Sequence, residues 1–274
     1  LRDAKLSIAP GNRLMLVCGA ADPKDRSVRG EFLSFVGFST DGKQWGKLER
    51  VEGFDNRTWL WRVIWHKGMA YGAAYSWAQD SPQSPRRMWG IIARSRDGVR
   101  YERISKDFAD LNEAALVFDD NDVLSVVFRC VDRESKATIA QSRAPFTDWT
   151  TKELKLDEWR NQLGGPALLR LPTLSRLPAP SRLPAAPRLP AAPRLKDGRL
   201  IVGGRLYRDK EQRTGVGLLD LNSGKMTDVA LLPSNGDSSY PGFVWHGGKL
   251  WMSYYSSHEG KTSIYLAKIE LKRK

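Results

Sequence analysis

The sequence predicts an all-β fold, a β-propeller built from four-stranded antiparallel blades, and three observations predict it. A hairpin of two apolar strands recurs five times at roughly 50 residues per unit, which is the period of a propeller blade. Each hairpin closes on a turn rich in Gly, Asn or Asp, residues that tolerate the left-handed backbone a tight hairpin demands. A third apolar strand then follows each hairpin. Five blades are visible over residues 1–274, read as one propeller domain, and a sixth completes the full protein if another precedes Leu1.

The five first strands open at Arg2-Asp3-Ala4, Trp61-Arg62-Val63, Asn112-Glu113-Ala114, Gly165-Pro166-Ala167 and Tyr240-Pro241-Gly242, all but the fourth with a polar, charged or aromatic residue at the start. Their turns are Pro10-Gly11-Asn12, His66-Lys67-Gly68, Asp120-Asn121-Asp122, Lys196-Asp197-Gly198 and His246-Gly247-Gly248. Third strands are expected over Phe35–Ser39, Trp89–Ser95, Ala137–Ser142, Gly215–Leu221 and Ser263–Ile269. The last of these lacks a fourth partner, and because the chain enters a strand almost at once after Leu1, the missing strand is expected upstream.

In the first two units the third strand runs into Ser39-Thr40-Asp41-Gly42-Lys43-Gln44-Trp45 and Ser95-Arg96-Asp97-Gly98-Val99-Arg100-Tyr101, with a degraded copy over Ser142 to Trp149. This S-x-D-G-x-x-aromatic pattern resembles the Asp-box of BNR-repeat propellers. The resemblance implies a structural turn whose carboxylate satisfies backbone donors, with the aromatic packed beneath it.

Composition fits a chain that buries a sizeable core, with 274 residues, 41% hydrophobic content and 10 Trp. No run reaches the 18 or more apolar residues of a membrane-spanning helix, so no membrane insertion is expected. Localisation follows from what precedes Leu1: secreted or periplasmic if a signal peptide has been trimmed, cytoplasmic otherwise. Cys18 and Cys130 read as buried thiols and His66 and His246 as turn residues, which gives neither a metal site nor a cofactor. Between the first two strands of the fourth unit lies a six-residue repeat rich in Pro, Ala and Arg, residues 172–195, expected to be extended or disordered. Its Arg176, Arg182, Arg188 and Arg194 account for four of the net charge of +13, leaving about +9 for the blades. Those remaining cations are mixed with acids and form no recognisable nucleic-acid motif, and attraction of an anionic small substrate explains the surplus equally well, so no nucleic-acid partner is expected.

In an antiparallel blade the start of the first strand and the end of the second lie at one end. That end gathers Arg2, Asp3, Arg62, Asn112, Glu113 and Tyr240 from first strands and Arg129 and Arg205 from second strands, with Asp237 just ahead of Tyr240. At these residues the chain resembles the sialidase superfamily over essentially its whole length. The resemblance implies an exo-acting glycoside hydrolase that removes a terminal acidic sugar from a glycan. Arg2, Arg129 and Arg205 would form an arginine triad for the sugar carboxylate, with Arg62, Asp3 and Asp237 nearby on the substrate. Tyr240 would be the nucleophile and Glu113 its base, because a neutral phenol is repelled less than a carboxylate by an anionic substrate. The acid/base Asp would be Asp22 or Asp25.

Two other readings stay open. Arg2-Asp3 at a strand start is also similar to five-bladed furanosidase-type propellers, which implies a two-carboxylate glycosidase centred on Asp3 and Glu113. A non-catalytic carbohydrate-binding propeller would keep the same residues for recognition alone.

Overall fold

A computed structural model describes residues 1–21, 32–81, 84–85, 87–131, 136–171 and 200–270. Asp22, Asp25 and the Pro-rich stretch 172–195 lie outside the described residues. The chain divides into two compact units, Leu1–Lys152 and Glu153–Lys274.

Three antiparallel sheets build the first unit. The first sheet holds β1 (Arg2–Ala9), β2 (Arg13–Ala21), β3 (Phe32–Ser39) and β4 (Glu49–Arg50) in sequential order. The second holds β5 (Thr58–His66), β6 (Met69–Ala78), β7 (Arg87–Ser95) and β8 (Glu102–Arg103), with the short β9 (Phe108–Ala109) also paired to β7. The third holds β10 (Leu111–Phe118), β11 (Leu124–Cys130), β12 (Thr138–Ser142) and β13 (Thr150–Glu153). In the second unit β14 (Gly164–Arg170), β15 (Leu200–Arg208), β16 (Glu211–Asp220) and β17 (Lys225–Leu231) form the fourth sheet. The fifth comprises β18 (Ser239–His246), β19 (Lys249–Ser256) and β20 (Ser263–Ile269). These are the blades of a five-bladed β-propeller, as the repeat predicts. Short outer strands such as Glu49–Arg50 escape sequence reading because two residues carry no periodicity.

Within each unit, the inner strand of a following blade packs over the face of the blade before it. In the first unit β5 crosses β1, β2 and β3, and β10 crosses β5, β6 and β7; in the second, β18 lies against β14, β15 and β16. Met15, Val17 and Val36 meet Leu60, Val63 and Ala74 in one interlayer core, and Ile92 meets Ala114, Leu124 and Phe128 in the next. Ile201, Val216 and Leu218 pack with Leu250, Met252 and Tyr254 in the second unit. Burial of such side chains is worth about 1.5–3 kcal/mol each. Middle strands covered on both faces are therefore buried at every position, as Leu124–Phe128 is, apolar except for Ser125, whereas β20 alternates. Close approach of neighbouring blades also requires gaps: a Cβ on Gly19 of β2 would stand 2.0 Å from the indole of Trp59 on β5.

The two S-x-D-G turns share one hydrogen-bond pattern. Asp41 Oδ1 accepts the backbone N–H groups of Lys43 and Gln44 at 2.8 Å each, and Asp97 Oδ1 accepts those of Val99 and Arg100 at 2.8 Å each. Ser39 and Ser95 hydroxyls accept from Gly42 and Gly98 at 2.9 Å. Ser39 also donates to the Gln44 carbonyl, and in the degraded third copy Ser142 keeps the corresponding bond, to the Asp148 carbonyl at 2.6 Å. Tyr101 is 4% exposed beneath its turn, while Trp45 remains 37% exposed. Registers such as Leu14 opposite Ser39 put these turns at the end of the blade away from Arg2.

The hairpin turns also bind one another. His66 stacks on Phe118 at 3.9 Å and shares a 2.7 Å hydrogen bond with Asp122, whose other oxygen accepts from Lys67 at 2.6 Å. No helix among the described residues is long and apolar enough to cross a membrane.

Candidate functional site

Four of the five inner strands carry an irregularity at the same place, next to their first residue, and β5 carries one two residues further in. Between Arg2/Gly19 and Lys5/Val17 the first strand has two residues, Asp3 and Ala4, opposite the single Cys18. The same two-against-one mismatch sets Asn112 and Glu113 against Arg129, Gly165 and Pro166 against Gly204, and Tyr240 and Pro241 against Tyr254. In the second blade Trp61 is the extra residue. A bulge bends its strand and re-aims a side chain, and bulges concentrate beside active sites. The backbone bears it out: Asp3, Gly165, Ser239 and Tyr240 all have positive φ, at 58, 55, 96 and 50°. Three of the residues that chemistry singled out, Asp3, Glu113 and Tyr240, thus occupy equivalent bulges of blades one, three and five.

Within the first unit the bulge of β10 faces Arg129 directly, and Arg129 Nη1 donates to Glu113 Oε2 at 2.9 Å with the two side chains only 20% and 8% exposed. Arg62 follows the Trp61 bulge, and burial lowers its guanidinium to a pKa of about 10. Arg2 pairs with Asp3 at 2.8 Å and lies over the Trp59 ring at 5.6 Å, but its side chain is 68% exposed. Lys5 completes the group. Its ammonium donates to the Asp3 carbonyl at 2.7 Å and sits 3.5 Å from the centre of the Trp61 ring. Burial, and then Arg62, bring Lys5 down to a pKa of about 7, a fall that Asp3 and Glu113 oppose. Tyr75 is pushed up, first by burial and then by Glu113 and Asp3, with Arg2 and Arg129 pulling the other way. Arg2, Lys5, Arg62 and Arg129 therefore set four cations around two carboxylates. Asn112 Oδ1, in the same bulge as Glu113, is a buried acceptor with no hydrogen-bond partner among the described residues. Such an atom calls for an explanation, since buried polar groups are nearly always paired.

The second unit gathers a different set. Arg205 is 9% exposed; its Nε donates to the Ser238 carbonyl at 2.7 Å and its Nη2 to the Tyr255 hydroxyl at 2.9 Å and to Asp237. Its guanidinium also lies 5.2 Å from the centre of the Tyr240 ring. Burial alone would lower Arg205, but Tyr207, Tyr240, Tyr255 and Asp237 together raise it. Tyr255 is raised by burial and by its bond to Asp237. Tyr240 stacks on Tyr255 at 5.7 Å, and its ring fills the space a side chain on Gly165 would take: a Cβ there would lie 1.9 Å from Tyr240 Cδ1. Ser239 Oγ is buried without a hydrogen-bond partner among the described residues. Beside this group opens a cavity of about 720 Å³ lined by Arg205, Lys210, Glu211, Arg213, Asn235 and Asp237 among others.

Arg129 and Arg205, both expected at second-strand ends, hold different registers. Arg129 faces the bulge, whereas Arg205 pairs with Gly164 one step before it, the position held by Tyr255 in the fifth blade and Gly19 in the first. Sequence reading missed Lys5, Tyr75 and Tyr255. The one signal for Lys5 was a lone cation inside the otherwise uncharged run 4–9. Among the described residues no group of three or more His, Cys, Asp or Glu is placed to hold a metal, and Cys18 and Cys130 are free and buried.

No family model matches the sequence, and no curated protein matches it. Solved structures do. The Bombyx mori GH32 β-fructofuranosidase superposes with a TM-score of 0.63 at 12% identity, over 97% of this chain and 59% of that one. The chain therefore spans about 59% of that enzyme's length. An exo-1,5-α-L-arabinanase from a bovine ruminal metagenomic library gives 0.52 at 13% identity, over 98% of this chain and 92% of that one. An α-L-arabinanase mutant from Cellvibrio cellulosa gives 0.53 at 11% identity, over 98% and 91%. At these identities the likeness is one of fold: the neighbours are five-bladed propeller glycoside hydrolases.

Proposed function

We propose that the protein is a propeller glycoside hydrolase that removes a terminal acidic sugar from a glycan. The observation that carries this reading is the shared bulge: Asp3 and Tyr240 hold the first position of the mismatch in their inner strands, and Glu113 holds the second position of the equivalent one. In the reaction, the Tyr240 phenol oxygen bonds to the anomeric carbon as its proton passes to Glu113, and the glycosidic oxygen leaves with a proton from a general acid, the role assigned to Asp22 or Asp25. Water then attacks the anomeric carbon, giving a proton to the carboxylate that the general acid became, and the tyrosine oxygen leaves as it takes its proton back from Glu113. Arg129 fixes the Glu113 carboxylate by its 2.9 Å hydrogen bond, and the Arg205 guanidinium facing the Tyr240 ring favours the negative charge that develops on the phenol. The excess of cations around Asp3 and Glu113 supports an anionic sugar, with Arg2, Arg62 and Asp237 as further substrate contacts. Buried acceptors such as Asn112 Oδ1 and Ser239 Oγ suit sugar hydroxyls.

One observation favours a second reading: Asp3 and Glu113 both act on Lys5, so two carboxylates share one neighbourhood in the first unit, as a two-carboxylate furanosidase requires. The β-fructofuranosidase name of one structural neighbour agrees with it. A fluorogenic α-sialoside and an aryl α-L-arabinofuranoside, assayed against wild type, Tyr240→Phe and Asp3→Asn, separate the two. Sialoside turnover abolished by Tyr240→Phe supports the first reading. Furanoside turnover that survives Tyr240→Phe and falls with Asp3→Asn replaces it with the second. Binding of an acidic sugar with neither turnover leaves a recognition propeller.

A further inference from the structure

Lys5 is the one charged side chain of the first unit's cluster that no reading of the reaction uses. It directly follows the β1 bulge, where Asp3 holds a left-handed backbone at φ 58°. A non-glycine residue in that region is strained and stays there only if its surroundings hold it. The hold is visible: the Lys5 ammonium closes back onto the Asp3 carbonyl at 2.7 Å, and its other side rests on the Trp61 ring at 3.5 Å. Trp61 is itself the extra residue of the neighbouring bulge and is 2% exposed, so it is a fixed platform.

We propose that Lys5 is a positioning residue of this site: its ammonium ties the Asp3 carbonyl to the face of Trp61, and so locks the first bulge in the geometry that presents Asp3 and Arg2 to an anionic sugar. The tie exists only while the amine is charged. A neutral amine gives up most of its attraction to the indole face and weakens as a donor to the carbonyl. The groups that bear on its charge come from every neighbouring strand. Arg2 and Asp3 lie on its own strand, Cys18 on β2, Arg62 on β5 and Glu113 on β10, while Tyr75 of β6 and Arg129 of β11 share the Glu113 neighbourhood. The two arginines and burial favour the neutral amine, and the two carboxylates and the Trp61 face favour the charged one. The balance places the change near neutrality rather than at the alkaline pH of an ordinary lysine.

This inference rests on the acidic-sugar reading only for its ligand. The test uses wild type, Lys5→Arg and Lys5→Met, with affinity for free N-acetylneuraminate and tryptophan fluorescence each followed from pH 5.5 to 9.5. Wild type should lose affinity about tenfold as pH rises through about 7, with a fluorescence step at the same midpoint. Lys5→Arg, charged throughout, should hold its affinity to pH 9.5 and show no step. Lys5→Met should bind about tenfold more weakly at pH 6 with a flat profile. Unchanged affinity and an unchanged pH profile in both variants would overturn the inference. If wild type binds no acidic sugar, the functional reading fails, and the fluorescence step decides the inference: present in wild type and absent in both variants it stands, and identical in all three it falls.

Discussion

Gly165→Ala is the most direct probe of how the second unit positions Tyr240. Two penalties fall on it. The first is backbone: at φ 55° a Cβ meets the strain of the left-handed region, about 1–2 kcal/mol. The second is steric, because the new Cβ would lie 1.9 Å from Tyr240 Cδ1 and 2.3 Å from Cε1, distances that no relaxation of a methyl can absorb. The ring must leave. It then forfeits its stacking on Tyr255, about 0.5–1.5 kcal/mol, and its contact with the Arg205 guanidinium, about 0.5–2 kcal/mol. The total is roughly 2–5 kcal/mol. Gly247→Ala is the control, since Gly247 has nearly the same φ, 58°, with no atom within 4 Å of the added Cβ. It carries the backbone penalty alone. Chemical denaturation followed by near-ultraviolet circular dichroism reads both stability and tyrosine packing. The expected result is a loss in Gly165→Ala that exceeds the control by about 1–3 kcal/mol, with an altered tyrosine signal and the catalytic defect of Tyr240→Phe. Equal losses in the two variants with an unchanged tyrosine signal would refute the reasoning.

Arg129→Met should cost about 3 kcal/mol in a urea titration, because it removes the 2.9 Å partner of a carboxylate only 8% exposed, and adding Glu113→Gln should recover part of that loss. Stability should rise with pH between about 7 and 10.5 in wild type and lose that slope in Lys5→Met. The folded amine is lowered to about 7 from 10.5, so across this window the unfolded chain binds the extra proton and deprotonation favours the fold. Ligand affinity should move the opposite way over the same range, which separates the positioning role from mere stability. Asp97→Ala should lower the melting temperature more than Asp41→Ala, since the first turn covers the 4%-exposed Tyr101 and the second only the 37%-exposed Trp45. Both carboxyls are held below their usual range. For Asp41 the backbone N–H groups of Gln44 and Lys43 do this; for Asp97 burial opposes it, and the N–H groups of Arg100 and Val99 prevail. The support each turn gives should therefore fade on acidification, in melts from pH 7 to pH 3.

The five paired strands, four of their turns, the third strands and the propeller itself were legible in the sequence because each rests on a local signal, the alternation or run of apolar residues and the Gly, Asn and Asp of tight turns; the fourth expected turn, Lys196-Asp197-Gly198, lies outside the described residues. So was the end of each blade at which Asp3, Glu113, Arg129, Arg205 and Tyr240 would fall, since strand direction alone settles that. Local pattern could not show the bulges. A bulge is a mismatch between two strands, and nothing in Asn112-Glu113 announces that a single Arg129 will face both. The same mismatch decided that Arg129 and Arg205, alike as strand-end arginines, would take different registers, one opposite a bulge and the other among tyrosines. Lys5 on Trp61 and Tyr240 over Gly165 join strands 50 or more residues apart in sequence, and their pairing follows from blade packing rather than from any neighbour in the chain. Sequence set which residues stand at the mouth of each blade; the pairing of strands set which way they point and what holds them there.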